Sequence, residues 1–179
     1  MVNSEIIIAG FGGQGLLFSG KVLAYAGLLE GRELSWLPSY GPEMRGGTAN
    51  CNVILSDTPV GSPIVQHPNV LMVMNLPSLD KYEADVVTGG KIFVDSTLIA
   101  RKVERTDVEA YYVPATQMAN EMGFPGLANM ILLGAVIKKT GCISEEGLPA
   151  ALKKVIPARK ADLFDANMAA IKAGAEYVG

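Results

Sequence analysis

The sequence predicts an α/β fold: a single Rossmann-like domain over residues 1–179, with a mostly parallel sheet flanked by helices and a helical C-terminal third. Three observations carry this reading. Short β-branched or apolar runs, such as Ile6-Ile7-Ile8-Ala9 and Val70-Leu71-Met72-Val73-Met74, suit strands covered on both faces in a parallel sheet. Strand, glycine turn, helix and strand open the chain, which is the order of a βαβ unit. The chain has 179 residues, 49% of them hydrophobic and 18% charged. That length fits one domain of about 100–200 residues, large enough to bury its own core.

The first strand is Glu5 to Ala9, ended by Gly10. Residues 16–29 read as a helix. Leu17, Ala24 and Leu28 fall near one face, Leu16 and Leu23 on an adjoining one, and Gly31 supplies the stop. Leu34 to Leu37 is the next strand, closed by Pro38, and residues 40–47 form a loop by composition. In 48–55, Asn50 and Asn52 alternate with Cys51 and Val53, which predicts a half-exposed strand. Further strands are expected at 70–74, 91–95 and 109–113, with a short helix at 79–84. Helices at 115–122, 128–139, 145–155 and 162–177 complete the chain. In the last one Phe164, Met168, Ile171, Ala175 and Val178 form an apolar stripe expected to pack on the sheet.

Composition excludes several classes. The net charge is −3 and the basic residues form no run, so nucleic acid is not an expected partner. The apolar run 130–137 is far shorter than the ~20 residues that span a bilayer. No basic residue precedes Lys21, so the N-terminal apolar run is no secretion signal, and a cytoplasmic, membrane-free protein is expected. Cys51, Cys142 and the single histidine, His67, fall short of a disulfide framework or of a zinc or iron–sulfur ligand set. Both cysteines read as reduced and packed, and His67 as a solvated loop residue.

Gly10-Phe11-Gly12-Gly13-Gln14-Gly15 fits G-x-G-x-x-G between a strand and a helix. Glycines there allow close backbone approach, and the helix start offers free N–H groups to an anion. Dinucleotide binding, another anion and plain strand–helix packing are all open readings of this motif. A dinucleotide site wants an acidic residue at the end of the second strand, about 20 residues on. That strand ends in Pro38-Ser39-Tyr40, so a stand-alone NAD-dependent enzyme is disfavoured. The loop Tyr40-Gly41-Pro42-Glu43-Met44-Arg45-Gly46-Gly47 should emerge beside the glycine turn, at the sheet edge where open α/β sheets bind ligands. Arg45 would clamp a carboxylate or phosphate there. The competing reading pairs Glu43 with Arg45 merely to order the loop.

These two motifs, together with Asn50-Cys51-Asn52-Val53 and Asn129-Met130-Ile131-Leu132-Leu133-Gly134, resemble the gamma subunit of 2-oxoacid:ferredoxin oxidoreductases over nearly the whole chain. Members serve pyruvate, 2-ketoisovalerate (branched-chain), 2-oxoglutarate and indolepyruvate oxidoreductases. The resemblance implies CoA-dependent oxidative decarboxylation of a 2-oxoacid, with electrons passing to ferredoxin. Thiamine diphosphate with Mg2+ and 4Fe–4S clusters carry that chemistry in the implied complex. This chain shows neither ligand set, so it is expected to bind no cofactor alone and to be inactive in isolation. The partners are then alpha and beta subunits and a ferredoxin-like delta subunit. The chain would help to form the active-site or CoA-side cavity, through contacts from Gly10, Gly12, Gly13, Gln14, Gly15, Tyr40, Gly41, Glu43 and Arg45. No catalytic residue and no metal ligand is assigned. The subunit interface is expected near the two glycine loops, where the isolated chain would also self-associate. The rival functions are a stand-alone nucleotide-binding protein and a ligand-sensing domain of the same fold.

Overall fold

Along β1 (Ser4–Phe11) Ile6 and Ile8 face one way, Ile7 and Ala9 the other, and all four are buried. Such a strand needs cover on both faces, and the rest of the chain supplies it. The computed structural model describes residues 3–39 and 48–179. After β1 come α1 (Leu16–Leu29), β2 (Glu33–Ser39), β3 (Thr48–Ser56), β4 (Val70–Val73) and α2 (Leu76–Tyr82). They are followed by β5 (Lys91–Asp95), β6 (Glu109–Val113), α3 (Ala115–Glu121), α4 (Ala128–Thr140), α5 (Leu148–Val155) and α6 (Leu163–Val178).

The six strands form one sheet in the order β2-β3-β1-β4-β5-β6. β1, β4, β5 and β6 run parallel, while β3 runs antiparallel to both of its neighbours. β2 is therefore parallel to β1 but separated from it by the reversed strand. One face of the sheet packs on α1, α3, α4, α5 and α6 through Ile8, Leu23, Phe93, Ile131 and Leu152. The other face has a thinner cover, in which Ile7, Leu71 and Val94 meet Leu79 of α2 and Ile99. Asn50 and Asn52 share that second side of β3 with Ile54 and stay half-buried, as their alternation predicts.

Several boundaries differ from expectation for physical reasons. β2 continues through Pro38 to Ser39, because it lies at the rim of the sheet, where a missing N–H costs no central ladder bond. α2 begins at Leu76 rather than Leu79. The side chain of Asn75 accepts a hydrogen bond from Ser78 N–H at 2.9 Å, and Pro77 sits in the first turn, where proline is tolerated. The expected helix 145–155 divides into a 3-10 turn, Glu145–Gly147, and α5.

Every residue from Ala128 to Ile137 in α4 is buried. A helix apolar on all sides needs neighbours all round. The sheet covers one side of α4 and α6 the other. A Cβ on Gly134 would strike the carbonyl of Ile171, and one on Gly174 the carbonyl of Ile131. This crossing corrects the expected stripe on α6. The residues buried there are Asn167, Ala170, Ile171 and Gly174, whereas Phe164, Met168, Ala175 and Val178 are half-buried at its margin.

Charge gathers at the opposite edge of the sheet from the strand ends that carry the glycine turn. Lys91 pairs with Glu109 at 3.0 Å, and Arg32 with Asp57 at 3.5 Å. The carboxylate of Glu83 accepts from Arg101 at 2.7 Å and from Glu104 N–H at 2.6 Å. Burial alone raises the Glu83 carboxyl, but these bonds and the Arg101 charge outweigh it and hold the group below its ordinary range. No helix among the described residues is long and apolar enough to cross a membrane.

Gly174→Ala should cost about 1–3 kcal/mol in urea unfolding through overpacking, while Gly61→Ala, with open space around it, should stay near neutral. A carboxyl held below its unfolded value stabilises the fold above that value and loses the contribution as pH falls. Glu83→Gln should therefore lower the melting temperature at pH 7, and its difference from wild type should shrink towards pH 3.

Candidate functional site

The glycine turn is built by three separate steric demands. A Cβ on Gly10 would collide with the side-chain oxygen of Gln14 and lie 3.1 Å from Cβ of Met74. Gly13 and Gly15 adopt φ of 90° and 77°, the left-handed region that favours glycine. A Cβ on Gly15 would also lie 2.5 Å from Nδ2 of Asn129. Gly12 and Gly13 are exposed. Gln14 turns back against the fold, where its Oε1 accepts from Phe11 N–H at 2.6 Å and its Nε2 donates to the Met74 carbonyl at 3.0 Å. One side chain thus fastens the turn to the end of β4.

α1 begins with no side-chain cap and no acidic residue in its first turn. The N–H groups of Leu16, Leu17 and Phe18 precede the first helical bond, Ser19 N–H to Gly15 carbonyl at 3.1 Å. Below them Asn129 donates from Nδ2 to the Gly15 carbonyl at 3.0 Å and to Ser19 Oγ at 3.1 Å. A cleft of about 350 Å³ opens here, walled in part by Gly15, Phe18, Lys21, Asn129 and Lys160. Among the described residues neither Lys21 nor Lys160 makes an ion pair. An uncapped helix start flanked by two unpaired ammonium groups suits an anionic group.

Tyr40, Gly41, Glu43 and Arg45 lie outside the described residues. The flanks of their loop are placed, however. Ser39 pairs with Asn50, which pairs with Ala9, and Thr48 pairs with Phe11. Both ends of 40–47 therefore join the sheet at the edge that carries the glycine turn. The shared edge expected from the sequence is present at those two ends.

Beneath the turn Cys51 is fully buried, and a Cβ on Gly20 would lie 2.5 Å from its sulfur and 3.0 Å from Nε1 of Trp36. Burial pushes the Cys51 thiol up to about 12, against smaller lowering contacts, and burial raises Cys142 as well. Thiols so held are poor nucleophiles and poor ligands. His67 is exposed. No group of three or more His, Cys, Asp or Glu side chains among the described residues is arranged to hold a metal ion.

The family described as pyruvate ferredoxin/flavodoxin oxidoreductase matches residues 5–177. The chain belongs to the pyruvate ferredoxin/flavodoxin oxidoreductase family. It is similar to the ketoisovalerate oxidoreductase subunit VorA of Methanothermobacter thermautotrophicus, at 44% identity over 175 residues, covering 97% of this chain and 36% of VorA. The chain thus spans about a third of the length of that relative. It is also similar to the 2-oxoglutarate synthase subunit KorC of Methanocaldococcus jannaschii, at 36% identity, covering 87% of this chain and 85% of KorC. Among solved structures it is similar to the keto/oxoacid ferredoxin oxidoreductase gamma subunit of Geobacter sulfurreducens. There the TM-score is 0.84 and the identity 30%, over 98% of each chain.

In this member of the pyruvate ferredoxin/flavodoxin oxidoreductase family, the glycine motif and the Asn129 motif meet in space, although 114 residues separate Gly15 from Asn129. The inward course of Gln14 escapes the sequence reading, since its hydrogen bond to Met74 spans 60 residues. Gln14→Ala should remove both ties of the turn. Amide exchange at Phe11 should accelerate, with a stability loss of about 1 kcal/mol in chemical denaturation.

Proposed function

We propose that the chain is one gamma-type domain over residues 1–179 that serves a multi-subunit 2-oxoacid:ferredoxin oxidoreductase. The observation that carries the proposal is the likeness to a gamma subunit over 98% of each chain, joined to a glycine turn that shares one sheet edge with the two ends of the second glycine loop. The complex oxidatively decarboxylates a 2-oxoacid to an acyl-CoA and CO2 and passes electrons to ferredoxin. Alpha, beta and ferredoxin-like delta subunits are its partners. Thiamine diphosphate with Mg2+ and the 4Fe–4S clusters belong on those partners. The described residues do not fit such groups, having two buried thiols and no set of three or more His, Cys, Asp or Glu side chains arranged to hold a metal ion.

This chain's contribution is shape and electrostatics on the CoA side of the cavity. The backbone of Gly12, Gly13 and Gly15 meets an anionic group or a partner loop, with Gln14 holding the turn in place. Lys21 and Lys160 add positive potential to the cleft beside it. Arg45, oriented by Glu43, supplies a charge-assisted contact from the second loop. Tyr40 and Gly41 shape that loop.

The test is co-purification of the chain with its neighbours, followed by dye reduction with a panel of 2-oxoacids and CoA. The assembled complex should turn over and the isolated chain should not. Turnover by the isolated chain, or by the complex without it, would refute the proposal. In the complex, Arg45→Ala should lower kcat/KM at least tenfold with folding intact, since a charge-assisted bond is worth about 1.5–3 kcal/mol. Arg45→Lys should recover only part, because an ammonium lacks the two-pronged contact. Equal, small and non-additive effects of Glu43→Ala and Arg45→Ala would assign the pair to loop ordering instead.

A further inference from the structure

The cleft of about 350 Å³ beside the start of α1 has a feature that an anion alone does not use. Asn129 and Asn167 both line it, and each is only 3% exposed. The orientation of both amides is fixed, because a carbonyl can only accept. Nδ2 of Asn129 donates to the Gly15 carbonyl at 3.0 Å, and Nδ2 of Asn167 donates to the Leu163 carbonyl at 2.8 Å. What each side chain has left is an acceptor, and neither Oδ1 has a hydrogen-bond partner. A buried acceptor without a donor is costly, and a fold that keeps two of them on one cleft calls for an explanation.

The rest of the wall is equally selective. Lys21 and Lys160 bring two ammonium groups that make no ion pair among the described residues, and no described Asp or Glu lines the cleft. The N–H groups of Leu16, Leu17 and Phe18 precede the first helical bond at the uncapped start of α1. Oδ1 of Asn129 stands at the same place, 3.4 Å from where a Cβ on Gly15 would be. Phe18, Leu127, Val155, Ile156 and Leu163 add an apolar lining. Small-molecule pockets span roughly 300–1,000 Å³, so this one suits a compact ligand rather than an extended cofactor. The walls thus ask for three things in one small molecule: a negative group, an N–H donor close to it, and a hydrocarbon part.

We propose that this cleft is a binding site for a free α-amino acid with an apolar side chain. Its carboxylate meets the N–H groups at the start of α1, in the positive potential of Lys21 and Lys160. Its ammonium, on the neighbouring carbon, donates to Oδ1 of Asn129, and Asn167 is the second acceptor of the cleft. The side chain lies against the apolar lining. Donors decide the selectivity. A 2-oxoacid of the same skeleton carries a carbonyl oxygen where the amino acid carries its ammonium, and would face Asn129 acceptor to acceptor. The cleft therefore tells an amino acid from its own 2-oxoacid. Asn129 also holds the Gly15 carbonyl, so an occupied cleft stiffens the glycine turn. The inference concerns a ligand of this chain alone and does not rest on the proposed function.

The test is calorimetry on the full chain with L-valine and L-leucine, each against its own 2-oxoacid and its own decarboxylated amine. At least one amino acid should bind, and its two analogues should bind at least about tenfold more weakly, the scale of one lost charge-assisted bond. Gly126 lines the cleft with open space where its Cβ would stand, so Gly126→Phe should fill the cleft and abolish binding with the melting curve kept. If that variant does not fold, Lys160→Gln, at an exposed position, should still weaken binding severalfold. Amide exchange of residues 12–18 should slow when the amino acid is added. Binding of neither amino acid would overturn the proposal and leave a buried water as the partner of the two oxygens. Equal binding of the 2-oxoacid would reduce the cleft to an anion site, and equal binding of the amine to a cation site; either overturns it. Binding unchanged in the folded variants would place the ligand elsewhere. None of these outcomes touches the subunit assignment, which co-purification decides.

Discussion

The rest of the fold depends on a helix with no polar side to spare. From Ala128 to Ile137 α4 buries every residue, so the sheet alone cannot cover it and α6 must close the outer side. The two backbones come so near that glycine is required on both, at Gly134 and Gly174. This contact fixes the depth of α4, and the depth fixes Asn129 at its start. From there Asn129 reaches the Gly15 carbonyl and Ser19, and through them sets where α1 begins. Core packing thus decides the position of the exposed turn. Displacing α6 would be felt at the glycine turn, although among the described residues no hydrogen bond joins α6 to Gly12 or Gly13.

The two ends of the strands divide the labour of the molecule. One end is knotted by ion pairs: Arg32 with Asp57, Lys91 with Glu109, and Arg101 and Arg105 around Glu83 and Asp107. Exposed pairs of this kind contribute little each, and the buried carboxylate of Glu83 contributes most through the N–H groups it satisfies. At the other end, among the described residues, the glycine turn is shaped by glycine and by hydrogen bonds from the uncharged side chains of Gln14 and Asn129. Charge keeps the ion-paired end hydrated.

Much of this was legible in the residues. The helix at 16–29 and the strands at 91–95 and 109–113 match their predicted bounds, because the periodic runs there are flanked by glycine or proline. The glycine turn and its strand–helix context are likewise found where G-x-G-x-x-G puts them. What escaped is non-local. No pattern within 48–56 says that β3 inserts, reversed, between β1 and β2. The stripe on α6 misleads because bulk predicts burial, whereas here the backbone approach at Gly174 decides which side faces inward. Gln14 reads as a candidate ligand contact, and its amide is engaged with Phe11 and Met74. For 40–47 only the flanking pairs are described, and they agree with the expected placement.

Pro38 in the rim strand β2 has a consequence for how the protein behaves in a crowded solution. An outer strand is a template on which a stray strand from another molecule can extend the sheet. A proline in mid-strand presents no donor at its own position, so a ladder growing along β2 would be interrupted there. The opposite rim strand, β6, begins at Glu109 and is followed at once by Pro114. Both margins therefore discourage edge-to-edge polymerisation. The sheet is thereby guarded at both rims against amyloid-like stacking.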